Sequence, residues 1–88
     1  MQYNLAMQFS GGEREDVINR LKRIEGQVRG IQRLVDQGAS CKKVASQVKA
    51  ARTALDAVGK LILACFLAES MKSGESAERE AIELIVKF

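Results

Sequence analysis

SCKKVASQVKAARTALDAVGKLILACFLAES, residues 40–70, holds no glycine before Gly59, and the whole chain holds no proline. Apolar or thiol side chains fall at Cys41, Val44, Val48, Ala51, Leu55, Val58, Ile62 and Cys65. This alternating three–four spacing sets one seam along one face of a long helix. Ser40 suits the N-cap, so Cys41 stands at the positive pole beside Lys42 and Lys43, surroundings that favour thiolate, the reactive and metal-binding form. Cys65 lies at the other end, where it reads first as a small core hydrophobe and second as a working thiol. In one straight helix the two sulfurs are separated by roughly 36 Å, far beyond disulfide reach. Chemistry that joins Cys41 to the far end of this helix therefore needs a second, antiparallel subunit.

Upstream, Val17, Leu21, Ile24, Val28, Ile31 and Val35 step by four and three in the same way. They predict a first long helix, opened by a Ser10–Glu13 capping box and closed at Gly38 as C′ residue. The link Gly38-Ala39-Ser40 is short enough to force an antiparallel hairpin. Residues 72–76 read as a turn, and Ala77, Ala81, Leu84, Ile85 and Phe88 mark a short third helix. Residues 1–12, with Tyr3, Leu5, Met7 and Phe9, read as an N-terminal arm ahead of a helical domain at 13–88. The expected fold is all-α: a three-helix protomer forming an antiparallel four-helix-bundle dimer, and a dimer of dimers. Leu61–Ala68 is apolar around its whole circumference, and a chain of 88 residues has only a marginal core of its own, so a second copy is expected to cover it. Gly26 and Gly30 in mid-helix read as points of close helix packing.

Composition narrows the function. The chain has no His, which removes Ser–His and Cys–His nucleophile arrangements, and it shows no phosphate-binding loop, so an enzyme is not expected. A sulfur-carrying enzyme built on a reactive Cys is the competitor from that class. The N-terminus lacks the basic start and long apolar run of a signal peptide, and no run approaches a membrane span, which gives a cytoplasmic address with no membrane partner. Net charge is +3, but residues 19–60 carry ten basic side chains against three acidic ones, +7, while the remainder sums to −4. Arg20, Arg23 and Gln27 on the first helix, and Arg52 and Lys60 outside the seam of the second, would present cations to a phosphate backbone. Double-stranded DNA, met through phosphate contacts and shape, is the expected partner.

The run Arg20-Leu-Lys-Arg-Ile-Glu-Gly-Gln-Val-Arg-Gly-Ile-Gln32, the following Cys41, the Val44…Gln47…Ala50 run and the terminal Ala-Ile-Glu-Leu-Ile-Val-Lys-Phe88 resemble the CsoR/RcnR/FrmR family of bacterial transcriptional repressors. The resemblance implies a helical dimer assembled into a tetramer that holds operator DNA until an effector acts at an intersubunit cysteine site. It places DNA-contacting cations at Arg20 and Lys60, with Gln27 on the same stretch. In copper-sensing members the cysteine matching Cys41 works with a His 25 residues later and a Cys 29 residues later, both from the other subunit; here these positions are Phe66 and Ser70. A persulfide-sensing, CstR-like branch lacks the His and uses two cysteines 29 apart, so Cys65, five residues before Ser70, is a candidate displaced resolving thiol. The expected function is thus a repressor released when reactive sulfur species or oxidants modify Cys41, with no bound cofactor. The alternative is a Cu(I)-responsive repressor with Cys41 as metal ligand.

Overall fold

The computed structural model describes residues 11–73 and 75–87, and within them the side chains of all but 70, 72, 73, 75–78 and 81. Residues 1–10 of the expected arm, the Ser10 cap among them, and Phe88 lie outside the described residues, while the arm's last two residues, 11 and 12, are already helical in α1. Three helices are present and no strand is found among the described residues: α1 Gly11–Asp36, α2 Cys41–Ser73 and α3 Glu75–Lys87.

The α1–α2 link closes as the sequence dictates. Gly38 has φ +78°, a left-handed conformation that costs glycine nothing. Its N–H donates to the Val35 carbonyl at 3.1 Å, and the Ala39 N–H donates to the Leu34 carbonyl at 2.9 Å. Together they form the paired C-terminal cap of a helix ending with glycine at C′. One residue later Ser40 starts α2: its Oγ accepts from the Lys43 N–H at 3.2 Å and its carbonyl from the Val44 N–H at 3.0 Å. A stop and a start separated by so little chain turn α2 back along α1. Val17 and Ile24 of α1 then pack with Val58 of α2, and Ala54 closes against them.

The second helix runs further than expected. Between Gly59 and Gly74 the chain has neither glycine nor proline, so α2 continues through 72 and 73, and α3 begins at Glu75. Of the expected turn over 72–76, residues 72, 73, 75 and 76 are helical instead, and residue 74 lies outside the described residues. The short third helix packs on α2, and among the described residues α1 and α3 do not meet.

The apolar seams divide into two lines each. On α2 the heptad line Val44, Ala51, Val58, Cys65 turns toward α1, with Ala51 8% and Val58 2% exposed. The other line, Cys41, Val48, Leu55, Ile62, stays outside; Val48, Leu55 and Ile62 are 48%, 52% and 41% exposed. On α1, Val17, Ile24 and Ile31 face inward, while Leu21, Val28 and Val35 remain exposed. In an antiparallel hairpin the two outward lines fall on the same side, giving one broad apolar face. The mid-helix glycines do not serve packing within the chain: a Cβ at Gly26 would meet nothing within 4 Å, and one at Gly30 only the end of Arg33, at 3.8 Å.

Candidate nucleic-acid interface and effector site

Opposite the apolar face, α1 and α2 enclose a groove of about 270 Å³ lined by Arg20, Arg23, Ile24, Gln27, Ala54 and Ala57. The spacing explains it. Arg20, Arg23 and Gln27 recur at three and four residues and so share one side of α1, and the small Ala54 and Ala57 leave α2 low beneath them. Three of the five expected DNA-contacting residues therefore meet in one concavity. Arg52 and Lys60 do not line it; both are exposed elsewhere on α2. Lys60 is paired with Asp56 at 3.6 Å, and Arg20 Nε donates to Asp16 Oδ1 at 3.1 Å. Sequence reasoning missed Ala54 and Ala57, whose small size does not set them apart on a helix with seven alanines, and Asp16, whose mark is an acid four residues before an arginine.

Cys41 is the first residue of α2 and is exposed there, heading the outward apolar line. At about 100° per residue, positions 66 and 70 return to within roughly 20° of Cys41 around the axis, while Cys65 is turned roughly 120° away. Phe66, part-buried, lines a cleft of about 240 Å³ between α2 and α3 with Glu80, Glu83, Leu84 and Lys87. The side chain of Ser70 lies outside what the structure describes. Cys65 faces the start of α1: burial pushes its thiol pKa up, and the carboxylates of Glu13 and Glu69 push it further the same way. The two cysteines are not joined to each other, and sit on different lines of α2 as well as at opposite ends.

As a metal site within one chain this arrangement is thin. Among the described residues no group of three or more His, Cys, Asp or Glu stands close enough to hold an ion. Phe66 offers no donor atom, and Cys65 is turned toward α1. What remains on the outward line is a single soft sulfur, Cys41. Likewise, no helix among the described residues is long and apolar enough to cross a membrane.

Comparison with known proteins identifies the family. The profile of a family described as metal-sensitive transcriptional repressor matches residues 13–88. The copper-sensing transcriptional repressor CsoR of Bacillus subtilis is 38% identical over 86 residues, covering 90% of this chain and 84% of the relative. The copper-sensing transcriptional repressor RicR of Mycobacterium tuberculosis is 39% identical over 46 residues, covering 52% of this chain and 48% of the relative. No solved structure matches the chain significantly. These matches do not single out a persulfide-sensing branch. With two cation-lined helices, a cysteine at the head of the second and a match running from residue 13 to the last, the chain is no enzyme but belongs to the metal-sensitive transcriptional repressor family, of the CsoR type.

Proposed function

We propose that this chain is a cytoplasmic repressor that holds double-stranded operator DNA in its Arg20–Arg23–Gln27 groove and lets go when the Cys41 sulfur takes up an effector. The observation that carries the reading is the placement of the two features on opposite sides of one hairpin. The groove is open, while Cys41 heads the apolar line that a second copy must cover. An antiparallel second copy sets Cys41 of one chain level with positions 66–70 of the other and leaves both grooves outside. Val48, Leu55 and Ile62 are the contact, giving a four-helix bundle. Ile82, Ile85 and Val86 on α3 stay exposed after that contact and support a further pairing into a dimer of dimers. Arg52 and Lys60, on other sides of α2, extend the positive field toward flanking phosphates.

Copper(I) is the effector that the relatives favour. Thiolate is a soft ligand suited to it, and Cys41 is the residue this chain would contribute. The chain's own part is mechanical. Whatever bridges Cys41 to the second copy draws the head of α2 toward the far end of the other α2, changes the spacing of the two grooves, and takes the cations out of step with the phosphates. A second reading rests on the donor count: with Phe66 in place of a ligand and Cys65 turned toward α1, Cys41 instead reacts covalently with reactive sulfur. Its thiolate attacks a polysulfide sulfur, forms a new S–S bond and expels the shortened polysulfide anion.

The test follows fluorescence anisotropy on a duplex selected by the protein from a random library. Wild type is expected to bind with steep loss on added salt, and to lose about tenfold or more in affinity with stoichiometric Cu(I), whereas Cys41→Ser binds and does not respond. Release by polysulfide with a sulfur adduct on Cys41, and none by Cu(I), selects the second reading. Equal response of Cys41→Ser and wild type overturns both.

A further inference from the structure

The geometry points to Asp16 as a positioning residue for Arg20: it holds the guanidinium at the rim of the α1–α2 groove with its outer edge presented to a DNA phosphate. This rests on the DNA reading of the groove and adds to it a residue that carries the wrong charge for contacting DNA.

Three observations support it. The contact runs from Nε of Arg20 to Oδ1 of Asp16 at 3.1 Å, and Nε is the inner nitrogen of the fork. An acceptor at Nε leaves the two Nη groups, with four N–H bonds, directed outward, the edge that meets a phosphate through two parallel hydrogen bonds. Next, Arg20 lines the groove and Asp16 does not, so the acid stands behind the cation as seen from the cavity. Finally, both partners are about half exposed, 44% and 52%, and an exposed pair four residues apart adds little to the stability of a helix. Its effect is to fix one rotamer of a long side chain. Ordering that side chain in advance lowers the cost of binding. A concave groove receives a convex ridge, and the sugar–phosphate backbone is the convex part of a duplex; Ala54 and Ala57 on the floor leave room for it. Arg23 and Gln27 lie three and seven residues along the same side and reach the same ridge.

Simple electrostatics predicts the opposite sign, which makes the inference testable. Removing a carboxylate beside a polyanion site strengthens binding if the acid acts only through charge. If it positions Arg20, Asp16→Ala weakens binding. Affinity for the duplex that the wild type selects from a random library is measured for wild type, Asp16→Ala, Asp16→Asn, Arg20→Ala and the Asp16→Ala/Arg20→Ala double variant, with thermal unfolding followed for each. Asp16→Ala is expected to bind roughly three- to tenfold more weakly at an unchanged thermal midpoint, the equivalent of ordering one long side chain. Asp16→Asn keeps an oxygen acceptor for Nε and is expected to stay near wild type. In the Arg20→Ala background the sign reverses, because with no guanidinium to hold Asp16 is only a repelling charge, so the double variant binds more tightly than Arg20→Ala. Asp16→Ala binding as tightly as wild type or more so, or the same change with and without Arg20, overturns the inference while leaving the DNA reading in place. A wild type that selects no duplex removes the DNA reading and the inference with it.

Discussion

Cys65 shows how one position constrains what its side chain can do. Burial raises its thiol pKa above the ordinary value of 9.0, and the Glu13 and Glu69 carboxylates add to the effect. The folded state thus prefers the protonated thiol more strongly than the unfolded chain does. By linkage this stability is fully present below pH 9.0 and is lost as pH rises through the raised folded-state value. Urea unfolding at pH 7.5 and pH 10.5 tests the point: wild type is expected to lose more stability between the two than Cys65→Ala does. An equal loss in both places Cys65 in solvent, free to join Cys41. The sequence alone left Cys65 undecided between core and chemistry, because a three–four seam has the same period whichever neighbour it faces. Only the packing shows that the line of Ala51, Val58 and Cys65 faces α1 and that the line of Cys41, Val48 and Leu55 faces outward. Phe66 and Asp16 illustrate the same limit. Their roles depend on what stands beside them on α3 or one turn along α1, and no motif announces it.

Helices and their ends were the most legible part of the chain. Gly38 and Ser40 are punctuation with a local mechanism, and both act as their residue types require. The extent of α2 was less legible, since a Lys-Ser-Gly-Glu-Ser run suggests a turn of five residues, yet 72 and 73 continue α2 and α3 begins at Glu75. The four mid-chain glycines of the hairpin offer a contrast within one chain. Gly38→Ala places a Cβ on a left-handed backbone and is expected to cost about 1–2 kcal/mol. Gly26→Ala adds a Cβ into open space in a regular helix and is expected to stabilise by up to about 1 kcal/mol. Chemical denaturation of the two variants measures both. If Gly26→Ala instead destabilises, its open side is occupied in the assembled protein, which is where the expected close packing would then lie.

The whole molecule is not a finished globule. Its radius of gyration is 16.8 Å, against about 12 Å for a compact chain of this length. Among the described residues four apolar side chains are buried, while Leu21, Val28, Val48, Leu55 and Ile62 stand exposed along one face of the hairpin. The proposed second copy covers this face, and the groove lies on the opposite side of the hairpin. Composition pointed to this, because 47% hydrophobic residues in 88 exceed what two helices and a short third can hide from water. What composition left open was direction. Parallel and antiparallel partners cover the same apolar lines, and only the antiparallel one brings Cys41 to the end of α2 where Phe66 and Ser70 sit. The most direct measurement is therefore a cross-link between Cys41 and a cysteine placed at Phe66 in a Cys65→Ala background, formed with a short bifunctional maleimide and read by mass spectrometry. The expected product is a covalent dimer joined between position 41 of one copy and position 66 of the other. A dimer joined 41 to 41, with no 41-to-66 product, would contradict the antiparallel pairing and with it the proposed link between the sulfur and the groove.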